Sequence, residues 1–429
     1  LKILWVCNIM LPAYAKAHGI EYSVREGWLT GCLDRLQKEK NTAAEEKITL
    51  AIAFPSEESV SEGKETVEGI TYYGFKEDLG HPENYDESLE SRFKQIIEDF
   101  VPDIVHVFGT EFPHALAALR AFGRPERSLV GIQGVCTEIA KAYMAGLPKK
   151  VQESTTFRDR LKEDSLIQQQ EKFKLRAENE KKVLLLTGNV TGRTTFDKEA
   201  SHSINPRAEY FAMNETMRPC FYSGKWEERK AIPHSIFLSQ GDYPLKGFHF
   251  LLESMPLILK KYPDAHVYVA GNNIIGRGKS KYPYFMRASA YGKYLKRLIA
   301  MNRLRKKVTM VGSLSDVEMK NRFLMSSVFV CASVVENSPN SVGEAMLLGV
   351  PVVAANAGGI PDMITDGMDG IIFDNMDYKK LAEAILQMWD EPVIAAVYGD
   401  NASKRAAKTH NADINYKRLL EIYDAICRK

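Results

Sequence analysis

The chain has 429 residues, 45% of them hydrophobic and 26% charged, with a formal net charge of +2. The apolar share excludes a disordered or collagen-like chain, and at roughly 100–200 residues per domain the length predicts two to three domains. Near-neutral charge excludes a protein whose whole surface grips nucleic acid.

Ile3–Val6 is a short apolar run and predicts a buried strand, followed by a loop and a helix over Trp28–Gln37. Ile48–Phe54, Ile104–Phe108 and Leu129–Ile132 predict further strands, separated by helical stretches at Leu89–Phe100 and Phe112–Arg120. Continuous Val, Ile and Leu runs between helices indicate βαβ units and a parallel sheet covered on both faces. Residues 151–182 interrupt this rhythm with a polar, highly charged stretch, expected as an exposed helix or mobile insertion. Val183–Thr187 is expected to resume the strands. Pro219–Pro233 combines Pro, Ser-Gly and mixed charge, the composition of an interdomain linker.

The second half alternates more clearly. Strands are expected at Ser235–Ser239, Ala265–Ala270, Val308–Val311, Val328–Cys331 and Pro351–Ala354. Helices are expected at Phe248–Lys261, Tyr291–Met301, Asp316–Ser326, Val342–Leu348 and Tyr378–Trp389, with a last amphipathic helix over Ile414–Cys427. The fold class is α/β: two Rossmann-like, doubly wound domains, 1–225 (carrying the 151–182 insertion) and 226–410, facing a central cleft. Helix 411–429 is expected to cross back and pack on the N-terminal domain. Ligands in such sheets bind beyond the carboxyl ends of the strands.

Six cysteines, Cys7, Cys32, Cys136, Cys220, Cys331 and Cys427, lie far apart without a C-x-x-C, so they read as buried thiols of a reducing cytosol. Neither a signal peptide nor an apolar run of about 18 residues is evident, and the expected location is cytoplasmic, with membrane association on the cytoplasmic face.

Residues 328–375 carry the strongest signal. After a strand ending near Cys331, a polar loop contains Glu336, Asn337, Ser338, Pro339 and Asn340. Ser341 is then placed as the N-cap of a helix, with Glu344 in a capping-box position. A strand, a small polar loop and a helix N-terminus offer backbone N–H groups and a positive dipole end to a phosphate. Pro339 keeps Glu336 out of the helix that holds Glu344. A carboxylate accepts two hydroxyl donors, which suits a ribose diol. By residues alone, Glu344 capping its own helix and a solvated Glu336 remain open.

This segment resembles the C-terminal signature of the retaining family-4 glycosyltransferases of the GT-B fold. The resemblance rests on Glu336, Glu344-Ala345-Met346, Gly349-Val350-Pro351-Val352 and Gly358-Gly359-Ile360-Pro361. It implies that Glu344 holds the nucleotide ribose, that Glu336 holds the transferred sugar, and that backbone N–H groups around Asn340 and Ser341 hold the donor phosphate. Gly312 joins these donor-side positions. Tyr243-Pro244-Leu245-Lys246-Gly247 is similar to the family's Lys-Gly phosphate motif, which makes Lys246 a point charge for a pyrophosphate and a catalytic candidate with Glu336. The family's upstream Arg is missing from Ser239-Gln240-Gly241-Asp242, so Arg193 is a candidate second cation; a structural ion pair is its alternative.

At the N-terminus, Glu26-Gly27-Trp28-Leu29 sits where the family has Gly-Gly, and Gly27 is expected near the donor. Asp103-Ile104-Val105-His106-Val107 matches an Asp-x-Val-His strand, and Gln133 stands where the family carries a His. His106 and Gln133 are the candidate acceptor or sugar contacts; a satisfied structural role for His106 stays open, and Gln133 can do no acid–base work.

The resemblance implies a metal-independent, retaining hexosyltransferase of polysaccharide or glycolipid assembly, with a UDP- or GDP-sugar as donor substrate, no other cofactor, and a saccharide or lipid-linked acceptor. No Asp-x-Asp cluster marks a metal site. A glycoside hydrolase built on Glu336 and Glu344, and a non-catalytic nucleotide-sugar or anionic-surface binding module, are the alternatives. Residues 276–307 contain eleven Lys or Arg and no Asp or Glu, interleaved with tyrosines, and are expected to flank the cleft or lie on anionic lipid. No nucleic-acid recognition motif accompanies them. The first hundred residues hold 11 basic and 19 acidic side chains, so positive charge concentrates later in the chain.

Overall fold

A computed structural model describes residues 1–20, 27–42, 48–56, 63–275 and 283–429, whose strands fall into two sheets. The first sheet contains β1 (Lys2–Val6), β2 (Thr49–Ser56), β3 (Lys64–Val67), β4 (Ile70–Lys76), β5 (Ile104–Phe108), β6 (Ser128–Gly131), β7 (Asn189–Gly192) and β8 (Glu209–Ala212). Their spatial order is β3-β4-β2-β1-β5-β6-β7-β8, parallel throughout except for the β3–β4 hairpin. Glu68 and Gly69 close that hairpin at positive φ. Its outer strand is charged, with Lys64 and Glu65, and so carries no apolar run.

Central strands explain the unbroken apolar runs. In β1, Ile3 and Trp5 pack with Ile52 and Ile104 on one face, whereas Leu4 and Val6 pack with Val105 and Val107 on the other. The helix Ala412–Cys427 completes the first of these faces. Leu419, Ile422, Tyr423 and Ile426 recur at helical spacing and are buried there. Each such side chain is worth about 1.5–3 kcal/mol when fully buried. Trp5 Nε1 donates to Tyr423 Oη at 2.8 Å, which ties this helix to β1.

The second sheet contains β9 (Ile232–Leu238), β10 (His266–Ala270), β11 (Val308–Gly312), β12 (Ser326–Cys331), β13 (Val352–Ala355) and β14 (Ile371–Phe373). Its order, β11-β10-β9-β12-β13-β14, is parallel throughout. This is the 3-2-1-4-5-6 order of doubly wound folds, and it reverses between β9 and β12.

The described residues divide into two compact units: Leu1–Ala140 with Lys172–Thr216 and His410–Lys429, and Lys141–Glu171 with Met217–Thr409. The partition differs from the expected 1–225 and 226–410 in two ways. First, Lys141–Glu171 belongs to the second unit, where the Asp159 carboxylate accepts from the Ala290 N–H at 2.9 Å. The expected insertion is ordered helix, Phe157–Lys162 and Leu166–Leu186. All of the predicted strand Val183–Thr187 except Thr187 is the end of that second helix; Val183 and Leu184 are buried while Leu185 is exposed, a helical and not a two-sided pattern. Second, the supposed linker Pro219–Pro233 is part of the second unit. Phe221 is fully buried against Phe323, and Trp226 Nε1 donates to the Ser326 carbonyl at 2.8 Å. Two aromatic anchors outweigh a linker-like composition.

Candidate functional site

The loops that follow β9 and β12 leave the second sheet at its switch point, and they carry Lys246 and Glu336. Lys246 ends a short 3-10 turn, Pro244–Lys246, and Gly247 follows at φ +67. A Cβ at Gly247 would lie 1.8 Å from the Ala332 carbonyl oxygen, so only glycine lets the two loops approach. Glu336 is held in the same way: a Cβ at Gly358 would lie 1.9 Å from the Glu336 carbonyl oxygen, and the Gly359 N–H donates to that oxygen at 2.9 Å. Both glycine motifs therefore set backbone positions.

The outcome is an ion pair between Lys246 and Glu336, whose Oε1 also accepts from Ser333 Oγ at 2.7 Å. Burial works to discharge Lys246, but the Glu336 carboxylate overrides it and raises the ammonium pKa. The Nδ2 donor of Asn337 is buried in the same loop without a partner.

The helix after this loop is Asn340–Leu348, and its N-cap is Pro339. Ser341 is therefore not the N-cap, and Glu344 closes no capping box: the proline's fixed φ starts the helix two residues earlier than predicted. Asn340 and Ser341 are the first two helical residues, at the positive end of the helix dipole. Glu344 faces inward, 4% exposed. Its Oε1 accepts from Arg218 Nε at 2.8 Å and meets Nη2 at 2.7 Å. The other arm of Arg218 pairs with Asp316. Burial pushes the Glu344 carboxyl up, to about 7, against the lowering effect of Arg218. Arg218 escaped the sequence reading because it carries no motif and borders the apparent linker. Gly312 ends edge strand β11 at φ +83 in open space.

The remaining candidates lie in the first unit, at the carboxyl ends of β5, β6 and β7. A cavity there is lined by His106, Phe108, Gln133, Arg193, Met213 and Glu215. Glu215 is its centre: it pairs with Arg193 and accepts from Gln133 Nε2 at 3.0 Å. The structural ion pair left open for Arg193 is thus present, within the first unit. Glu215 carried no sequence signal. His106 is buried, and burial lowers its pKa to about 3, so the ring is neutral near pH 7. Its Nδ1 meets Tyr423 Oη at 2.8 Å. Since Trp5 already donates to Tyr423, the phenol O–H donates in turn to His106 Nδ1, which leaves Nε2–H, without a partner, as a donor. Gly27 opens the helix Gly27–Thr42 in place of the expected loop, and Glu26 lies outside the described residues. Among the described residues no three or more His, Cys, Asp or Glu side chains gather as a metal site, the six cysteines are free thiols, and no helix is long and apolar enough to cross a membrane.

A switch-point lysine, a loop carboxylate, a helix carboxylate and a helix N-terminus thus gather in one doubly wound α/β unit. Residues 225–405 match the family model of glycosyl transferases group 1. Spore coat protein SA of Bacillus subtilis is 28% identical over 42% of this chain and 46% of its own length. The chain spans about half the length of the curated relatives it matches. Sucrose-phosphate synthase from Thermosynechococcus elongatus is similar in structure at a TM-score of 0.69 with 14% identity, over 99% of this chain and 98% of that one. Anabaena HepE, solved in complex with UDP and glucose, gives 0.65 with 14% identity, over 99% of this chain and 100% of that one. The fold is GT-B.

Proposed function

We propose that the protein is a metal-independent, retaining hexosyltransferase that moves a sugar from a UDP- or GDP-sugar to an acceptor hydroxyl. The observation that carries this is the Lys246–Glu336 pair at the switch point beside the helix Asn340–Leu348. The group 1 match of the same segment supports it, as does the UDP bound by HepE. The second unit is the donor side: Glu344 takes the ribose, the amides of Asn340 and Ser341 with Lys246 take the diphosphate, and Glu336 takes the transferred sugar.

The bond from the anomeric carbon to the leaving phosphate stretches, and charge grows on the diphosphate. Lys246 and the helix N-terminus stabilise that charge; one pre-aimed donor is worth about 3–4 kcal/mol. The acceptor oxygen bonds the anomeric carbon from the same face, and its proton passes to the departing phosphate oxygen. Gln133 and the Nε2–H of His106 hold acceptor hydroxyls in the first-unit cavity, without acid–base work. The acceptor is a saccharide or lipid-linked saccharide, on the cytoplasmic side, in polysaccharide or glycolipid assembly. Product analysis tests this: labelled donor sugar joined to an acceptor with retained anomeric configuration, in excess EDTA, supports it. Loss of turnover in EDTA that Mg²⁺ restores removes metal independence, and cleavage of an aryl glycoside without nucleotide favours a hydrolase.

A peripheral contact with anionic lipid is supported by one patch of the second unit. Phe157, Leu161 and Phe285 are 57%, 63% and 54% exposed, and the two phenylalanine rings lie 5.8 Å apart. Arg160 and Lys162 are exposed on the same helix as Phe157 and Leu161, Lys293 is exposed as well, and residues 276–282 of the basic stretch lie outside the described residues. Sedimentation with anionic but not neutral vesicles is expected, reduced by salt; equal binding to both overturns it.

A further inference from the structure

We propose that Arg218 is a positioning residue for the donor ribose: its guanidinium pins one oxygen of Glu344, turns the other to the ligand, and offsets the cost of burying the carboxylate's charge. The inference deepens the donor-site reading and rests on it.

The guanidinium is built into place. Nε and Nη2 both meet the same Glu344 oxygen, Oε1, at 2.8 and 2.7 Å. Nη1 is engaged by Asp316, from the helix Asp316–Leu324. The ring of Phe221, itself fully buried, lies under the guanidinium at 4.7 Å. Cys220 Sγ reaches the Asp316 carbonyl at 3.7 Å, so the turn carrying Arg218 is fastened to the same helix. Arg218 is thus held on two carboxylates and one aromatic face, with its own side chain 13% exposed.

Glu344 needs such a partner. Its carboxylate is buried within a helix whose neighbouring side chains are apolar, and burial alone favours the protonated acid. A protonated carboxyl offers a hydroxyl donor where a ribose diol needs an acceptor. The charged groups that face Glu344 are Arg218, which favours the carboxylate, and Asp316, which opposes it. Asp316 is partly neutralised by the same guanidinium, so one arginine serves both. With Oε1 taken, Oε2 is the oxygen left to receive the ribose hydroxyls.

The test is equilibrium binding of UDP and GDP to the full chain from pH 6 to 9, with the 2′,3′-dideoxy nucleotides as controls. In the wild type, binding of the ribonucleotide strengthens as pH rises through the ionisation of Glu344, and the dideoxy analogue lacks this dependence. In Arg218→Gln the midpoint moves up by about 1–3 pH units, the shift expected on losing one adjacent opposite charge. In Arg218→Lys, a flexible point charge in place of two aimed N–H groups, ribonucleotide affinity falls and dideoxy affinity does not. A wild-type midpoint and affinity in Arg218→Gln overturns the inference; if that variant does not fold, unchanged ribonucleotide affinity in Arg218→Lys overturns it. A wild type that binds neither nucleotide at any pH contradicts the donor-site reading instead.

Discussion

Replacing Lys246 with Met keeps the length of the side chain and removes its charge. The partners are 22% and 11% exposed, so the pair is neither fully buried nor on the surface. Breaking a fully buried pair costs 3–5 kcal/mol and an exposed one about 0–1, which puts the expected loss of stability here at about 1–3 kcal/mol. In the proposed mechanism turnover depends on the same charge for a different reason: the ammonium would stabilise the departing diphosphate, and its loss is expected to lower kcat by about 10²–10³. The double variant Lys246→Met with Glu336→Gln separates the two effects. It leaves no unpaired carboxylate, so the urea midpoint returns toward wild type while turnover stays low. Urea unfolding followed by circular dichroism, alongside donor turnover with labelled sugar, reads both quantities. Near-normal turnover in the single variant would refute the role given to Lys246, and so would recovery of turnover in the double.

Other perturbations probe the scaffold. Gly247→Ala forces a Cβ to within 1.8 Å of the Ala332 carbonyl at a left-handed φ, so the Lys246 loop must move; both the urea midpoint and turnover should fall, and a normal midpoint would contradict the close approach. Acid titration reports on the buried histidines. Burial lowers His106 and His249 to about 3 and His410 to about 4. Each stays neutral in the folded chain but protonates at about 6.5 when unfolded, so stability is full above that pH and declines as pH falls through it. The slope is about 1.4 kcal/mol per pH unit for each histidine. His249→Gln should flatten the decline measured by urea unfolding between pH 6.5 and 4, and an unchanged slope would count against a neutral buried ring.

The central strands and amphipathic helices were legible because two-sided burial and helical spacing leave unambiguous patterns, as in Ile104–Phe108 and Phe248–Lys261. The placement of Lys246 and Glu336 in the loops after β9 and β12 was legible because tight loops demand glycine at fixed spacings: Gly247 and Gly358 mark where they must lie. The hairpin Lys64–Lys76 was not, since its outer strand is charged. Neither was Arg218, whose role arises from three elements far apart in sequence that converge on Glu344. Glu215 is another such case: its meaning comes from Arg193 and Gln133, which only the sheet brings together.

The most direct measurement is the melting temperature of the full chain with UDP, GDP and ADP, compared with Glu344→Ala. A nucleoside diphosphate held at the β9–β12 switch point stabilises by about 2.7 kcal/mol at a hundred times its Kd. One of the three is therefore expected to raise the melting temperature by several degrees in the wild type, and Glu344→Ala should lose most of that rise. No shift with any of them at millimolar concentration, or an equal shift in Glu344→Ala, would contradict a nucleotide-sugar site in the second unit.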